Sequence, residues 1–177
     1  MNFVFDLDGC LIDSRAAVIE AYQQAGIIMP QDAWGKPWQD WCPRRIHDKK
    51  IELYPTVLKK FGFVGPALRT LDKLITLKRN AIVTKQVQHG LWILTSASRE
   101  ATILALNILR ITNNVDVLGC SYSVVEKRSA LLALEEPGLY FDDDAKALTQ
   151  ITDNTPWVPV LVASERDADN KEALWTP

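Results

Sequence analysis

No apolar run in the 177 residues approaches the ~18 that a membrane-spanning helix needs. A secretory leader needs a basic start and an apolar stretch of about 7 to 15 residues, and an aspartate already stands at position 6. Charge of one sign is also missing. With 20 Lys and Arg against 22 Asp and Glu, the formal charge is −2, so no global basic field directs the chain to nucleic acid and any anion site is local. The three cysteines, Cys10, Cys42 and Cys120, are odd in number and widely spaced, without a CxxC, which excludes a disulfide framework and fits a reduced, cytoplasmic setting. Internal repeats and low-complexity tracts are absent.

With 47% hydrophobic residues, the composition is that of one soluble globular chain with room for a small insert. Short apolar runs end in polar or acidic residues at Phe3 to Phe5, Leu91 to Leu94, Leu139 to Phe141 and Val158 to Val162, with a weaker one at Asp116 to Gly119. Helical spacing occupies Arg15 to Ala25, Ala67 to Val87, Glu100 to Leu109 and Lys127 to Leu134, and Gly90 reads as a helix stop before the next strand. The alternation predicts an α/β fold, a Rossmann-like, mostly parallel sheet with helices on both faces.

Between Gly26 and Pro66 the texture changes. Five prolines, three tryptophans and a basic cluster at Arg44, Arg45, His47, Lys49 and Lys50 predict a small helical cap inserted after the first strand. The expected division is a core of residues 1–14 and 76–177 and a cap of residues 15–75. Trp34, Trp38 and Trp41 are spaced as one helical stripe, interrupted by Gly35 and Pro37, and serve either as the cap's core or as a stacking platform for a base.

Ligands of open parallel sheets bind beyond the carboxyl ends of the strands. Asp6 and Asp8 stand there after the first strand, Thr95 and Ser96 after the second, and Asp142, Asp143 and Asp144 after the "LYF" strand. Two carboxylates about 4 Å apart at an effective dielectric of about 20 repel by roughly 4 kcal/mol, a cost that a divalent cation removes. An oxygen-only donor set suits Mg²⁺. In "DLD", alternate residues of an extended segment face one way, and Gly9 permits the turn that brings backbone amides to an anion.

On "FDLDGCLIDS", "WILTSAS", Lys127 in "VVEKRSALL" and "LYFDDDAKAL", in that order over Phe3 to Leu148, the chain resembles the haloacid dehalogenase-like hydrolases, the superfamily of aspartate-nucleophile phosphatases. The resemblance implies that Asp6 is the nucleophile and Asp8 the acid and base, and that Thr95 and Lys127 hold phosphoryl oxygens. It implies Mg²⁺ bound by Asp6, the main-chain carbonyl of Asp8 and Asp143, with Asp142 beside it. Gly9, Ser96, Arg99 and Arg45 are the candidate substrate contacts, and the cap is the element that reads the leaving group. Asp8 argues against the dehalogenating branch.

One departure stands out, since the further acid often found four residues after the metal-binding one is replaced by Ala147 or Lys146, and Asp144 or a water is left to fill the shell. The implied substrate is a nucleotide or other small phosphorylated metabolite. A phosphorylated polynucleotide end is the second enzymatic reading, with nucleic acid not the favoured partner, and a non-catalytic phosphate-binding protein of the same fold is the third. Oligomeric state has no signature in the sequence.

Overall fold

The apolar runs become the buried strands of one sheet. A computed structural model of the chain describes residues 1–33, 36, 38–61, 63–84 and 89–162. Strands β1 (Asn2–Phe5), β4 (Gly90–Leu94), β5 (Asp116–Gly119), β6 (Gly138–Asp142) and β7 (Val158–Leu161) lie in the order β5-β4-β1-β6-β7, every pair parallel, while the two-residue strands β2 (Ile12–Asp13) and β3 (Phe63–Val64) pair with each other. The result is a Rossmann-like α/β fold with helices on both faces of the sheet. The central strand, β1, is apolar on both faces, as a doubly covered parallel strand must be.

Register sets the site. Phe5 pairs with Ile93 on one side and Phe141 on the other, so Asp6, Leu94 and Asp142 come next at one edge of the sheet. The Asp6 amide donates to the Phe141 carbonyl at 2.8 Å. One face carries a core of Val4, Leu94, Leu131, Tyr140, Leu148, Ile151 and Trp157, to which helices α5 (Val124–Leu132) and α6 (Ala145–Thr152) contribute. Gly138 faces Asn2 in the β1–β6 pair, and a Cβ built there would run into the Asn2 carbonyl oxygen. Gly138→Ala is therefore expected to cost about 1–3 kcal/mol, the range for overpacking, read from urea unfolding midpoints. An unchanged midpoint would show that β1 and β6 have room to separate.

The chain divides into two compact units, one of residues 1–12 and 64–177, the other of residues 13–63. Residues 64–75 thus fall with the sheet, where the sequence reading gave 15–75 to the insert. The cause is backbone pairing: the Gly65 amide donates to the Leu11 carbonyl at 2.8 Å and the Ala67 amide to the Cys10 carbonyl at 3.0 Å. Leu71 and Ile75 of α3 (Leu68–Thr84) are buried. The expected continuation of that helix to Val87 lies outside the described residues. Gly90 is the first residue of β4, paired with Asn2, rather than a helix stop.

The smaller unit packs α1 (Arg15–Ala25) against α2 (Arg44–Phe61), a helix that tolerates Pro55 in its interior. Tyr22 joins them, its hydroxyl 2.8 Å from His47 Nδ1 and its ring edge-on to Trp41. Trp38 stacks on His47 with centroids 3.9 Å apart. Trp38 and Trp41 are half-buried, and Trp34, Gly35 and Pro37 lie outside the described residues. Arg44, Arg45 and Lys49 are exposed on α2, while the Lys50 ammonium lies over the Tyr54 ring.

Candidate active site

Asp6 leaves the central strand already buried. The turn that follows is closed by the Gly9 amide donating to the Ile12 carbonyl at 2.8 Å and the Leu11 amide to the Leu7 carbonyl at 2.9 Å. Gly9 holds a φ of 80°, a left-handed conformation that L side chains avoid. A Cβ at Gly9 would also collide with the Asp143 carboxylate, so the acidic loop after β6 rests against this turn.

Lys127 is brought to the same edge by α5. Ser123 and Glu126 form a capping box that starts this helix and fixes its first turn, just before Lys127. The buried ammonium donates to Asp6 Oδ1 at 2.6 Å and lies 3.6 Å from Asp142 Oδ2. Burial works against the charged lysine, but Asp6 and Asp142 outweigh it, so its pKa lies above the ordinary lysine value and it stays an ammonium.

Asp6, Asp142 and Asp143 each place a carboxylate oxygen within 4.8 Å of the others. Burial pushes the Asp6 carboxyl up to about 8, with Lys127 pulling it down and Asp142 adding to the rise. Asp143 is exposed as a residue, yet its carboxyl is tucked against Gly9. Burial of that group and the charge of Asp142 push it up to about 7. Three hard oxygen donors this close together, with Asp6 and Asp143 pushed toward neutrality, fit a divalent cation such as Mg²⁺. Asp142 is the least available of them, because its Oδ2 accepts the Tyr140 hydroxyl at 2.6 Å and its Oδ1 the Asp144 amide at 3.0 Å. Asp143 is then the better candidate for a direct ligand beside Asp6. Asp144 Oδ1 caps α6, accepting from the Lys146 and Ala147 amides, and is committed to that role.

Thr95 is buried just after β4, and its Oγ1 accepts the Ala97 amide at 3.1 Å, which leaves the hydroxyl proton for an anion. Ser96 donates its hydroxyl to the Tyr122 carbonyl at 2.7 Å. Asp8 is half-buried in the turn after β1, bridged to Ile12. Arg99 is exposed as the first residue of α4 (Arg99–Ile108), which Ser98 caps. Arg45 belongs to the smaller unit, while every other candidate lies in the sheet unit.

The sequence reading passed over Tyr140. Burial pushes its phenol far up, so it acts as a neutral hydroxyl, donating to Asp142 and accepting from Lys127 Nζ at 3.4 Å. Its one visible signal is alternation, since residues 140 and 142 of a strand face the same way.

No family model and no curated protein matches the sequence. Solved structures do. A haloacid dehalogenase-like family hydrolase from Streptococcus pneumoniae superposes with a TM-score of 0.62 at 16% identity, over 97% of this chain and 90% of that one. The chain has the haloacid dehalogenase-like hydrolase fold. A subfamily IA hydrolase of the haloacid dehalogenase superfamily from Geobacter sulfurreducens gives 0.61 at 13% identity, over 96% and 98% of the two chains. CbbY from Rhodobacter sphaeroides, solved in complex with phosphate, gives 0.62 at 13% identity, over 92% and 86%. The haloacid dehalogenase-like fold accounts for the convergence of all four motifs on one sheet edge.

Proposed function

We propose that the chain is a Mg²⁺-dependent phosphatase that hydrolyses phosphate monoesters of nucleotides or other small metabolites through an aspartyl-phosphate. The observation that carries this is the buried Asp6 carboxylate, bound by the Lys127 ammonium at 2.6 Å within a cluster of three acids at the sheet's carboxyl edge. The phosphate bound to CbbY on the same fold supports the choice of ligand.

In this reading an Asp6 oxygen attacks phosphorus and the bond to the ester oxygen breaks, that oxygen taking a proton from Asp8. Asp8, now ionised, takes a proton from a water that attacks the same phosphorus, and the bond to Asp6 breaks to release phosphate. Thr95 and Lys127 hold phosphoryl oxygens, with Gly9 and Ser96 shaping the backbone around them. A Mg²⁺ held by Asp6, Asp143 and the Asp8 carbonyl, with Asp142 beside it, would neutralise charge on the transferring group. Arg99 is the candidate within the sheet unit for contacting the leaving group.

The test is phosphate release from a panel of phosphorylated metabolites, 3′- and 5′-nucleotides and phosphorylated oligonucleotides, with Mg²⁺ or chelator and with Asp6→Asn as the blank. Metal-dependent release that the variant lacks supports the reading. Phosphate binding without turnover would replace it by the non-catalytic one. Preference for oligonucleotides, with binding that weakens steeply in salt, would shift it to polynucleotide ends.

A stability measurement checks the metal site independently. In the unfolded chain these carboxyls ionise near 4, whereas in the fold Asp143 and Asp6 do so near 7 and 8. The folded state therefore binds more protons between those values, and its stability is full at low pH and falls as pH rises through 7 and 8. In chelator, the melting temperature is expected to drop from pH 5 to pH 8, and saturating Mg²⁺ to raise it most at pH 8. A hundredfold excess over Kd would add about 2.7 kcal/mol. A melting temperature indifferent to Mg²⁺ at pH 8 would rule out the cation site.

A further inference from the structure

We infer that Tyr140 is a positioning residue, its hydroxyl holding Asp142 off Lys127 so that the ammonium stays on Asp6; the catalytic consequence rests on the phosphatase reading above. The phenol ring is fully buried among Val4, Leu94, Leu131, Leu148, Ile151 and Trp157, which leaves it no freedom to turn. Only its hydroxyl reaches the charged edge. There it donates to Asp142 Oδ2 at 2.6 Å and accepts from Lys127 Nζ at 3.4 Å.

Lys127 thus faces two carboxylates and chooses between them. Its short bond goes to Asp6 Oδ1 at 2.6 Å, and its contact with Asp142 Oδ2 is a full ångström longer, at 3.6 Å. The Tyr140 proton is what satisfies that Asp142 oxygen. Asp142 is 2% exposed, so bulk water is not at hand to replace the proton. Without the hydroxyl, Lys127 is the nearest remaining donor to Asp142 Oδ2, and the ammonium is drawn toward Asp142 and away from Asp6. The strand makes the pairing by alternation, since Tyr140 and Asp142 sit two apart on β6 and face one side.

Tyr140→Phe keeps the ring and deletes the hydroxyl. Crystal structures of the full-length wild type and variant should show Lys127 Nζ displaced from Asp6 Oδ1 toward Asp142. An unmoved lysine overturns the inference. On the best substrate from the panel, the variant should melt within a few degrees of wild type and lose at least tenfold in kcat, with KM changed less than threefold. In an Asp142→Asn background, where the competing charge is gone, adding Tyr140→Phe should change kcat by less than twofold. A kcat within twofold of wild type, or equal losses in both backgrounds, also overturns it. A displaced lysine in a protein whose wild type releases no phosphate from any ester would sink the phosphatase reading alone and leave the positioning of Lys127 standing.

Discussion

Asp6→Asn is expected to abolish metal-dependent phosphate release while leaving the protein as stable as wild type, or more so. Loss of a nucleophile that acts within a catalytic unit can cost up to about 10⁶ in kcat, and we expect at least about 10³. The amide fills the volume of the carboxylate and cannot attack phosphorus. Its effect on stability has the opposite sign, because the wild-type carboxyl is held unfavourably. Burial and the neighbouring Asp142 push its pKa up to about 8 against the pull of Lys127. Removing that charge relieves the crowding of Asp142 and Asp143, an exchange of stability for activity common at active sites. The measurements are initial rates with Mg²⁺ and thermal melts in chelator at pH 8. Residual turnover within tenfold of wild type would remove Asp6 from the nucleophile's place. A melting temperature many degrees lower would show that the Lys127 pair stabilises the fold more than burial of the carboxylate costs.

Legibility in the sequence followed the physics of each feature. Strands buried on both faces declare themselves as unbroken apolar runs, and β1, β4 and β6 carry the motifs at their carboxyl ends, so the placement of Asp6, Thr95 and Asp142 could be read directly. What depended on pairing between distant residues could not. Residues 65–67 join the sheet unit through amides that donate to Cys10 and Leu11, and no local pattern encodes that choice.

Helix α2 was hidden by Pro55, and α6 by its length of eight residues, although Asp144 followed by "AKAL" is a cap signal. Tyr140 reads as one more apolar strand residue. Its role emerges only when a lysine from another element arrives 3.4 Å from its hydroxyl. The acidic loop was legible as a cluster of carboxylates at the sheet edge, whereas the division of labour within it required the hydrogen bonds that engage Asp142 and Asp144.

Lys127→Met is expected to be the most destabilising single change at this site. The lysine is buried at 5% exposure with two carboxylates around it, and methionine fills a similar volume without the charge. Breaking a buried ion pair from one side leaves the other charge uncompensated, which typically costs about 3–5 kcal/mol. That figure belongs to pH 8 in chelator. Asp6, already raised to about 8, would be raised further without the lysine. Its protonated form therefore stabilises the fold at low pH, and that stabilisation is lost as pH rises through the folded pKa. The cost should accordingly shrink toward pH 5, well below the value of about 8 at which Asp6 takes up its proton. It should shrink again in the Asp6→Asn background, where one of the two orphaned charges is absent, and on addition of Mg²⁺. Urea unfolding of the four proteins at pH 5 and pH 8 reads all of this from midpoints and slopes. A loss that is the same at both pH values and in both backgrounds would mean that Lys127 contributes packing alone, and the electrostatic account of the site would fail with it.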